Sequence, residues 1–165
     1  MAHLENKLEW CLKKAKKEGD KHRGLREVQP DIEKANKHID KANHNLKAMI
    51  HLTKGKFPDW AVSASFYSMY HCLLAILAKY GYESRNQECT FVAVEHLIKI
   101  RKVDLDIGWL RRIASFNENL DKDDIITLRE KFQYGTEAVV DNSKINDLLN
   151  DTKEFIQIVK MVLKK

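Results

Sequence analysis

Apolar residues recur along most of the chain with the three-to-four-residue spacing of one face of an α-helix. This spacing predicts seven helices, at about residues 4–17, 30–53, 58–79, 86–101, 109–116, 121–134 and 142–163. Either Ser84 or Asn86 is a suitable cap for the fourth of them. No segment shows the strict alternation of a convincing strand. The pattern therefore predicts an all-α protein.

The helix predicted at 58–79 differs from the others because its apolar residues cover most of its circumference. A helix of this kind is buried by several neighbours. Long helices joined by short turns favour an antiparallel up-and-down helical bundle, here with extra short helices. The length suits one domain, 1–165, in which 1–28 forms an N-terminal helix and a polar linker and 29–165 forms the bundle core.

The apolar runs and the cysteines indicate in which cellular compartment the protein is expected. The longest uninterrupted apolar run, 72–78, is far shorter than the roughly 20 residues that cross a bilayer. The first residues also lack the apolar core of a secretory signal. Cys11, Cys72 and Cys89 form no Cys-x-x-Cys pair, and two of them fall in helical apolar patterns. We expect reduced, packed thiols in a cytoplasmic protein that does not contact a membrane.

The net charge of +5 is concentrated in the first third of the chain. Residues 1–56 hold 14 of the 29 Lys and Arg but only 8 of the 24 Asp and Glu. A basic segment suits a polyanionic partner such as RNA, or an acidic protein surface. A solvated, lysine-rich helix face is the simpler interpretation, because acidic residues are interspersed.

Familiar catalytic and metal-binding motifs do not occur in the sequence. It contains no zinc-finger or HExxH spacing, no glycine-rich phosphate loop and no GxSxG elbow. Chemistry of the zinc-protease, P-loop and α/β-hydrolase kinds is therefore not expected. We predict neither a metal nor a cofactor.

Three places carry side chains that suit a binding or catalytic site. His71 lies on the central helix, where a hydrogen-bonded core histidine is the simpler interpretation. The polar segment 83–90 contains Arg85 and Asn86, which are either ligand groups or parts of an ordinary loop and helix cap. Arg129 lies on a helix with an apolar stripe, and it is either open to an anion or paired with an acid.

The residues of the central helix resemble a known family. The string Trp60-Ala-Val-Ser-Ala-Ser-Phe-Tyr-Ser-Met-Tyr-His71 is similar to the main helix of the HEPN superfamily. The likeness continues through the polar segment 79–90. It returns at Leu128-Arg-Glu-Lys-Phe-Gln-Tyr134, which resembles a Leu-Arg-x-x-x-x-Tyr element of the family. The small stand-alone HEPN proteins of prokaryotes match best, over most of the chain.

This resemblance implies a helical bundle that is frequently a homodimer. Many HEPN proteins are encoded beside a minimal nucleotidyltransferase, in toxin–antitoxin or related pairs. Active members are metal-independent ribonucleases with a motif of Arg, four to six residues, and then His. The resemblance places the motif arginine at Arg129, and we expect Arg85, Asn86 and Arg129 to contact nucleic acid or a nucleotide.

The sequence departs from that motif, because Tyr134, Gly135 and Thr136 stand where the histidine should fall. In RNA cleavage the histidine removes the 2′-hydroxyl proton near neutral pH, while the arginine stabilises the developing charge. A tyrosine with an ordinary pKa of about 10 is a poor base there. Arg129 therefore keeps the phosphate-binding half of the site, and Tyr134 and His71 are the candidates for the other half.

Three hypotheses follow for the function. The first is a HEPN module with little or no catalytic activity, which binds a nucleotidyltransferase-type partner, nucleic acid or a nucleotide in a toxin–antitoxin-like system. The second is a metal-independent RNA endonuclease that uses Arg129 with a non-standard base such as His71. The third is a structural bundle that self-associates through the apolar seam of 32–49.

Overall fold

Seven helices and a two-stranded ribbon make up the part of the chain that the computed structural model describes, residues 2–113 and 125–165. In chain order these elements are α1 (Ala2–Glu18), β1 (Leu25–Glu27), α2 (Ile32–Lys54), α3 (Pro58–Lys79), β2 (Tyr82–Ser84), α4 (Gln87–Lys99), α5 (Ile107–Ile113), α6 (Ile125–Tyr134) and α7 (Asn142–Lys164). The predicted all-α class is confirmed. Residues 114–116 and 121–124 of the predicted helices lie outside the described residues.

The core of the bundle is built around α3. This helix packs against α2, α4, α6 and α7, and thirteen of its residues are buried, on nearly all sides. Several of them are small, among them Ala61, Ser65, Ser68 and Ala75, so neighbouring helices can approach closely. The prediction that the central helix is surrounded by its neighbours is confirmed.

Side-chain contacts fix the direction of the long helices. Ser68 of α3 donates a 2.7 Å hydrogen bond to the Ala42 carbonyl of α2, and the two helices run antiparallel across a short turn. Ser65 and Thr152 join α3 to α7 through their hydroxyls at 2.8 Å. Further along, Lys79 donates to the Val162 and Leu163 carbonyls at the end of α7. Thus α3 and α7 run parallel, as up-and-down order requires of alternate helices.

Most of the apolar seam of 32–49 on α2 packs inside the chain. Ala35, Ile39, Ala42 and Met49 are all buried, and α2 makes its most extensive contact with α3. These four side chains belong to the internal core, whereas Ile32 at the start of the same seam is 51% exposed, so self-association through it stays a prediction.

The prediction that the chain has no strand is wrong. Residues Leu25–Glu27 pair antiparallel with Tyr82–Ser84, and Gly81 adopts φ +82° immediately before the second strand. A side chain at Gly81 would bring a Cβ within 2.7 Å of the Val28 carbonyl oxygen. Three-residue strands are too short to show an alternating pattern. The predicted linker therefore contains a strand that is paired to the bundle.

The prediction of reduced thiols is also wrong for two of the three cysteines. Cys11 on α1 and Cys89 on α4 form a disulfide across a separation of 78 residues, and Cys72 is the free, buried cysteine. Burial raises the pKa of the Cys72 thiol far above its ordinary value, so this thiol is unreactive. The disulfide fastens the N-terminal helix to the bundle.

One helix has the length and the apolar composition to cross a membrane. This helix is α3, and 72% of its most apolar stretch is buried inside the structure. Its apolar surface is thus largely covered by neighbouring helices, as in the core helix of a helical bundle.

We expect reduction of the Cys11–Cys89 disulfide to lower the stability of the fold. In the chain-entropy model a closed loop of this length contributes about 4 kcal/mol, or roughly 10 °C in Tm for a chain of this size. Calorimetry with and without dithiothreitol measures the shift. The Cys11→Ser/Cys89→Ser variant should have a lower Tm than wild type, and the reductant should not change that Tm. Alkylation of three thiols in unreduced, denatured protein would contradict the bridge.

Candidate functional site

One edge of α3 escapes burial, and it carries aromatic and polar side chains. Trp60 and Tyr67 are 57% and 43% exposed. His71 follows Tyr67 by one turn and is half-buried. Arg129 reaches this edge from α6, which packs on α3. The central helix thus supplies both the core of the bundle and one wall of a surface site.

The Arg129 guanidinium lies over aromatic side chains of α3. Its Cζ is 4.4 Å from the ring centroid of Phe66 and 5.8 Å from that of Tyr67. Nη1 donates a 3.4 Å hydrogen bond to the Tyr67 hydroxyl, and Nη2 lies 3.8 Å from Oε1 of Glu130. Both polar contacts are long, so the cation–π contact with the buried Phe66 ring contributes most to its placement.

The burial of Arg129 is incomplete. Its side chain is 11% exposed, and Nε is buried without a hydrogen-bond acceptor among the described residues. Its closest carboxylate there, that of Glu130, is itself mostly exposed. Among the residues that the structure describes, the guanidinium makes no close ion pair in the core, and the part of the side chain that reaches the surface can donate to an anion.

The structure does not bring the three candidate catalytic residues together. Tyr134 ends α6 and is 78% exposed. Five positions after Arg129, it lies about 140° around the helix axis from that residue. His71 is hydrogen-bonded to His38 of α2 instead. In a single chain Arg129 thus has neither Tyr134 nor His71 as a hydrogen-bonded base.

The partner of His71 is a second histidine. Nδ1 of His71 and Nδ1 of His38, on α2, are 3.0 Å apart, so one ring must donate and the other must accept. Burial, the nearby His71 ring and Lys34 lower the pKa of His38 to about 4. Burial and Lys41 also lower the pKa of His71. Both imidazoles are therefore neutral near pH 7, and the pair is a hydrogen-bonded dyad without charge.

Arg85 borders a cleft that His38 also lines. This cleft of about 300 Å³ is lined by Lys34 and His38 of α2, by Leu74, Leu77 and Ala78 of α3, and by residues 82–85. Asn86 lies just beyond these lining residues. It caps α4, since its side chain accepts from the Cys89 backbone amide at 3.0 Å. Of the predicted binding residues, Arg85 thus lines a cavity, whereas Asn86 has a structural role.

Glu83 holds the cations of the cleft in place. Its carboxylate accepts from His22 at 3.0 Å and lies 3.2 Å from Arg85 and 3.4 Å from Lys34. Burial by itself would raise the pKa of Glu83, but the His22 hydrogen bond and the charges of Arg85 and Lys34 outweigh it and lower that pKa. Glu83 is therefore ionised at neutral pH and offsets one of the two positive charges.

Comparisons with known proteins show to which family the chain belongs. The family model described as "HEPN domain" matches residues 35–162. The chain belongs to the HEPN family. It is also 28% identical over 128 residues to the protein named "Putative toxin MJ0142" of Methanocaldococcus jannaschii, across 76% of this chain and 83% of that protein.

The HEPN match begins after the N-terminal segment. Residues 1–34 precede it, yet this segment contributes His22, which is buried and bonded to Glu83. It also contributes the carbonyls of Asp20 and Gly24, which accept from Arg85 at 2.7 and 3.0 Å. The geometry of the cleft thus depends on a part of the chain outside the matched domain.

Several residues of these sites were missed by sequence reasoning. Neither His38 nor Glu83 was predicted as a site residue. A usable signal for His38 existed, because the polar His38 stands directly before the buried Ile39 on the amphipathic α2.

Within residues 2–113 and 125–165, no cluster of three or more His, Cys, Asp or Glu side chains suits a metal ion.

The lowered pKa values of the dyad predict how stability changes with pH. Unfolded His38 titrates near 6.5 and folded His38 at about 4. Between these values the unfolded chain binds more protons, so the free energy of unfolding should rise with pH and level off above about pH 6.5. Denaturant titrations at pH 4.5, 5.5 and 7 measure this slope.

His38→Asn should flatten the slope between pH 4.5 and 6.5, whereas His44→Asn, at an exposed position of the same helix, should retain it. Equal slopes in both variants would show that the dyad does not carry the pH dependence.

Proposed function

We propose that this HEPN protein works by binding, as the toxin-like member of a toxin–antitoxin-like pair. In this proposal it contacts a nucleotidyltransferase-type protein and RNA or a nucleotide, and it has little or no ribonuclease activity of its own. The observation that carries the proposal is the guanidinium of Arg129, which presents one edge at the surface while no imidazole is bonded to it. The relative named as a toxin supports the toxin-like role.

The chemistry of the Arg129 site favours binding over catalysis. An arginine edge with free donors can bind a phosphate or a carboxylate. Cleavage of RNA also needs a base for the 2′-hydroxyl proton. Tyr134, the residue at the motif position, lies at the exposed end of α6, about 140° around the helix axis from Arg129. Arg129 therefore supplies anion recognition without the matching proton acceptor.

The exposed edge of α3 supports an interface for a second protein. Trp60 and Tyr67 are both largely exposed, and exposed aromatics flanking an arginine are typical of protein–protein contacts. We propose that this edge carries either the homodimer contact or the contact with the nucleotidyltransferase-type partner. We also propose a cytoplasmic location, which an RNA partner would require; the Cys11–Cys89 disulfide then has to persist in a reducing compartment.

A second candidate function, a ribonuclease that uses His71, has one observation in its favour. His71 lies one turn after Tyr67 on α3, and Tyr67 contacts Arg129. A neutral imidazole can accept a proton near pH 7. In this candidate, His71 removes the 2′-hydroxyl proton while Arg129 stabilises the charge on the phosphate. It requires His71 to leave its bond with His38 or to act through its other ring nitrogen.

Restoring the family motif should create activity. Within one chain this position lies about 140° around α6 from Arg129, so in the proposed homodimer the imidazole of Tyr134→His would meet Arg129 at the cleft between the two copies. General base catalysis contributes about 10²–10⁴-fold. We expect this variant to cleave RNA without metal, in the presence of EDTA, at least 100-fold faster than wild type. Tyr134→Phe and Tyr134→His/Arg129→Ala are the matched controls and should stay inactive.

Wild-type cleavage that is fast and lost in His71→Asn would favour the second candidate. A folded Tyr134→His variant without any activity would show that Arg129 does not occupy a catalytic position.

Removing Arg129 should weaken binding without unfolding the protein. Co-purification of the tagged protein with its natural partner and RNA, followed by mass spectrometry and RNA quantitation, gives the readout. We expect Arg129→Ala to reduce both about tenfold, since charged hydrogen bonds contribute roughly 1.5–3 kcal/mol.

Arg112→Ala is the matched control, because Arg112 also stacks on an aromatic ring, that of Trp109, at 4.7 Å. Equal retention of partner and RNA by wild type and Arg129→Ala would refute the proposed role of Arg129.

A further inference from the structure

The N-terminal helix α1 has few contacts with the bundle besides its disulfide. The buried side chains among its residues 3–18 are those of Leu4, Cys11 and Ala15. Its ion pair with α4, between Lys7 and Glu88, is exposed to solvent. A terminal helix that buries little apolar surface opens locally far more often than the whole fold unfolds. The disulfide therefore supplies a large part of the attachment of α1.

The residues that follow α1 are held in place independently of it. His22 is buried and hydrogen-bonded to Glu83, and the buried Leu25 belongs to the β1–β2 ribbon. Between α1 and this anchored stretch stands Gly19, which has φ +68° and open space where a Cβ would lie. The chain can therefore bend at Gly19 while β1 stays paired with β2.

The closed helix shields the bond that holds it closed. Cys11 is 1% exposed and Cys89 is 0% exposed, so an attacking thiol reaches neither sulfur while α1 lies on α4. Gly24 lets α1 approach closely, because a Cβ there would come within 2.6 Å of the Cys11 carbonyl oxygen. The free cysteine, Cys72, is buried in α3 and unreactive. The bridge therefore persists among cellular thiols for as long as α1 stays closed.

We propose that the Cys11–Cys89 pair is a reversible redox site, at which a protein dithiol reduces the bridge and releases α1 while the rest of the bundle stays folded. The inference rests on the cytoplasmic location in the proposed function, because disulfides of cytoplasmic proteins are usually transient and redox-sensing. It goes beyond that function, since it assigns a covalent modification that fastens the segment before residue 35, which the HEPN match does not cover.

The reaction is an exchange between two pairs of sulfur atoms. When α1 opens, a thiolate of a Cys-x-x-Cys reductant attacks one sulfur of the bridge, and the other sulfur leaves as a thiolate that takes up a proton. The second thiol of the reductant loses its proton, attacks the mixed disulfide and releases the remaining cysteine as a thiol. Cys11 and Cys89 thus gain two electrons and two protons, and the reductant becomes a disulfide. Oxidised glutathione reverses these steps and leaves as two reduced glutathione molecules.

Release of α1 changes the surface of the bundle. Helix α4 packs against α1, α3 and α5, and Cys89 is on the side that α1 covers. Val92 and Ala93 follow Cys89 by about one turn, are buried, and share its side of α4. Reduced protein therefore presents a thiol and apolar side chains that the oxidised protein hides.

Hydrogen exchange followed by mass spectrometry tests the inference on the full chain. After reduction with dithiothreitol, the amides of α1 should exchange roughly tenfold faster or more, whereas those of β1, α3 and α7 should keep their protection. Oxidised glutathione should restore the protection of α1. The Cys11→Ser/Cys89→Ser variant should behave like reduced protein in every buffer. Cys72→Ser is the matched control and should behave like the wild type.

The rate at which dithiothreitol reduces the bridge shows whether α1 opens by itself. Leu4→Ala removes a buried side chain of α1 and should speed the reduction roughly tenfold or more, because a buried leucine contributes several-fold more than that to the closed state. Leu148→Ala is the matched control, since it removes a buried leucine from α7 instead. It should destabilise the whole bundle and leave the rate of reduction unchanged.

Equal acceleration by Leu4→Ala and Leu148→Ala would overturn the inference, because reduction would then need global unfolding. Unchanged protection of α1 in reduced protein would also overturn it, since the bridge would then be structural only. In cells, acid quenching and thiol alkylation should show a reduced fraction that falls on treatment with diamide, and a fraction that does not change would refute the redox site. If any of these tests fails while partner recovery still depends on Arg129, only this inference is lost and the proposed function stands.

Discussion

The burial of α3 on nearly all sides is the constraint on which the rest of the structure depends. Four helices cover it, and its small residues let α2 and α7 come close enough to bond through Ser65 and Ser68. A helix enclosed in this way leaves one narrow edge at the surface. The polar and aromatic side chains on that edge, from Trp60 to His71, are held by a rigid element, which is the condition for a precise site.

Arg129 shows how this core shapes the chemistry. The Phe66 ring is buried, stacks on Tyr70 and lies beneath the guanidinium. The arginine therefore packs against a ring that is held in place by its neighbours. The result is a cation with one edge exposed and without a bonded imidazole. The cleft of Arg85 lies further along α3, where it is lined by Leu74, Leu77 and Ala78 together with His38 of the dyad. The bundle thus presents two cationic places on one central scaffold.

The sequence predicted the helices well because their signal is local. Periodic apolar residues and the cap at Asn86 are visible without any tertiary information. The β1–β2 ribbon, the Cys11–Cys89 bridge and the His38–His71 dyad were missed for one shared reason. Each depends on residues 33 or more positions apart, whose meeting is decided only by how the helices pack. The motif identified Arg129, but its contact with Phe66 could not be predicted from the sequence.

The placement of the Arg129 guanidinium is the central claim, and its Nε–H resonance reports on it directly. NMR of the arginine side chains should show this proton shifted upfield by the Phe66 ring and exchanging slowly with water, because Nε is buried. The shift should move toward the ordinary arginine position in Phe66→Leu. An Nε–H that already resonates and exchanges like those of exposed arginines in the wild-type protein would contradict the account.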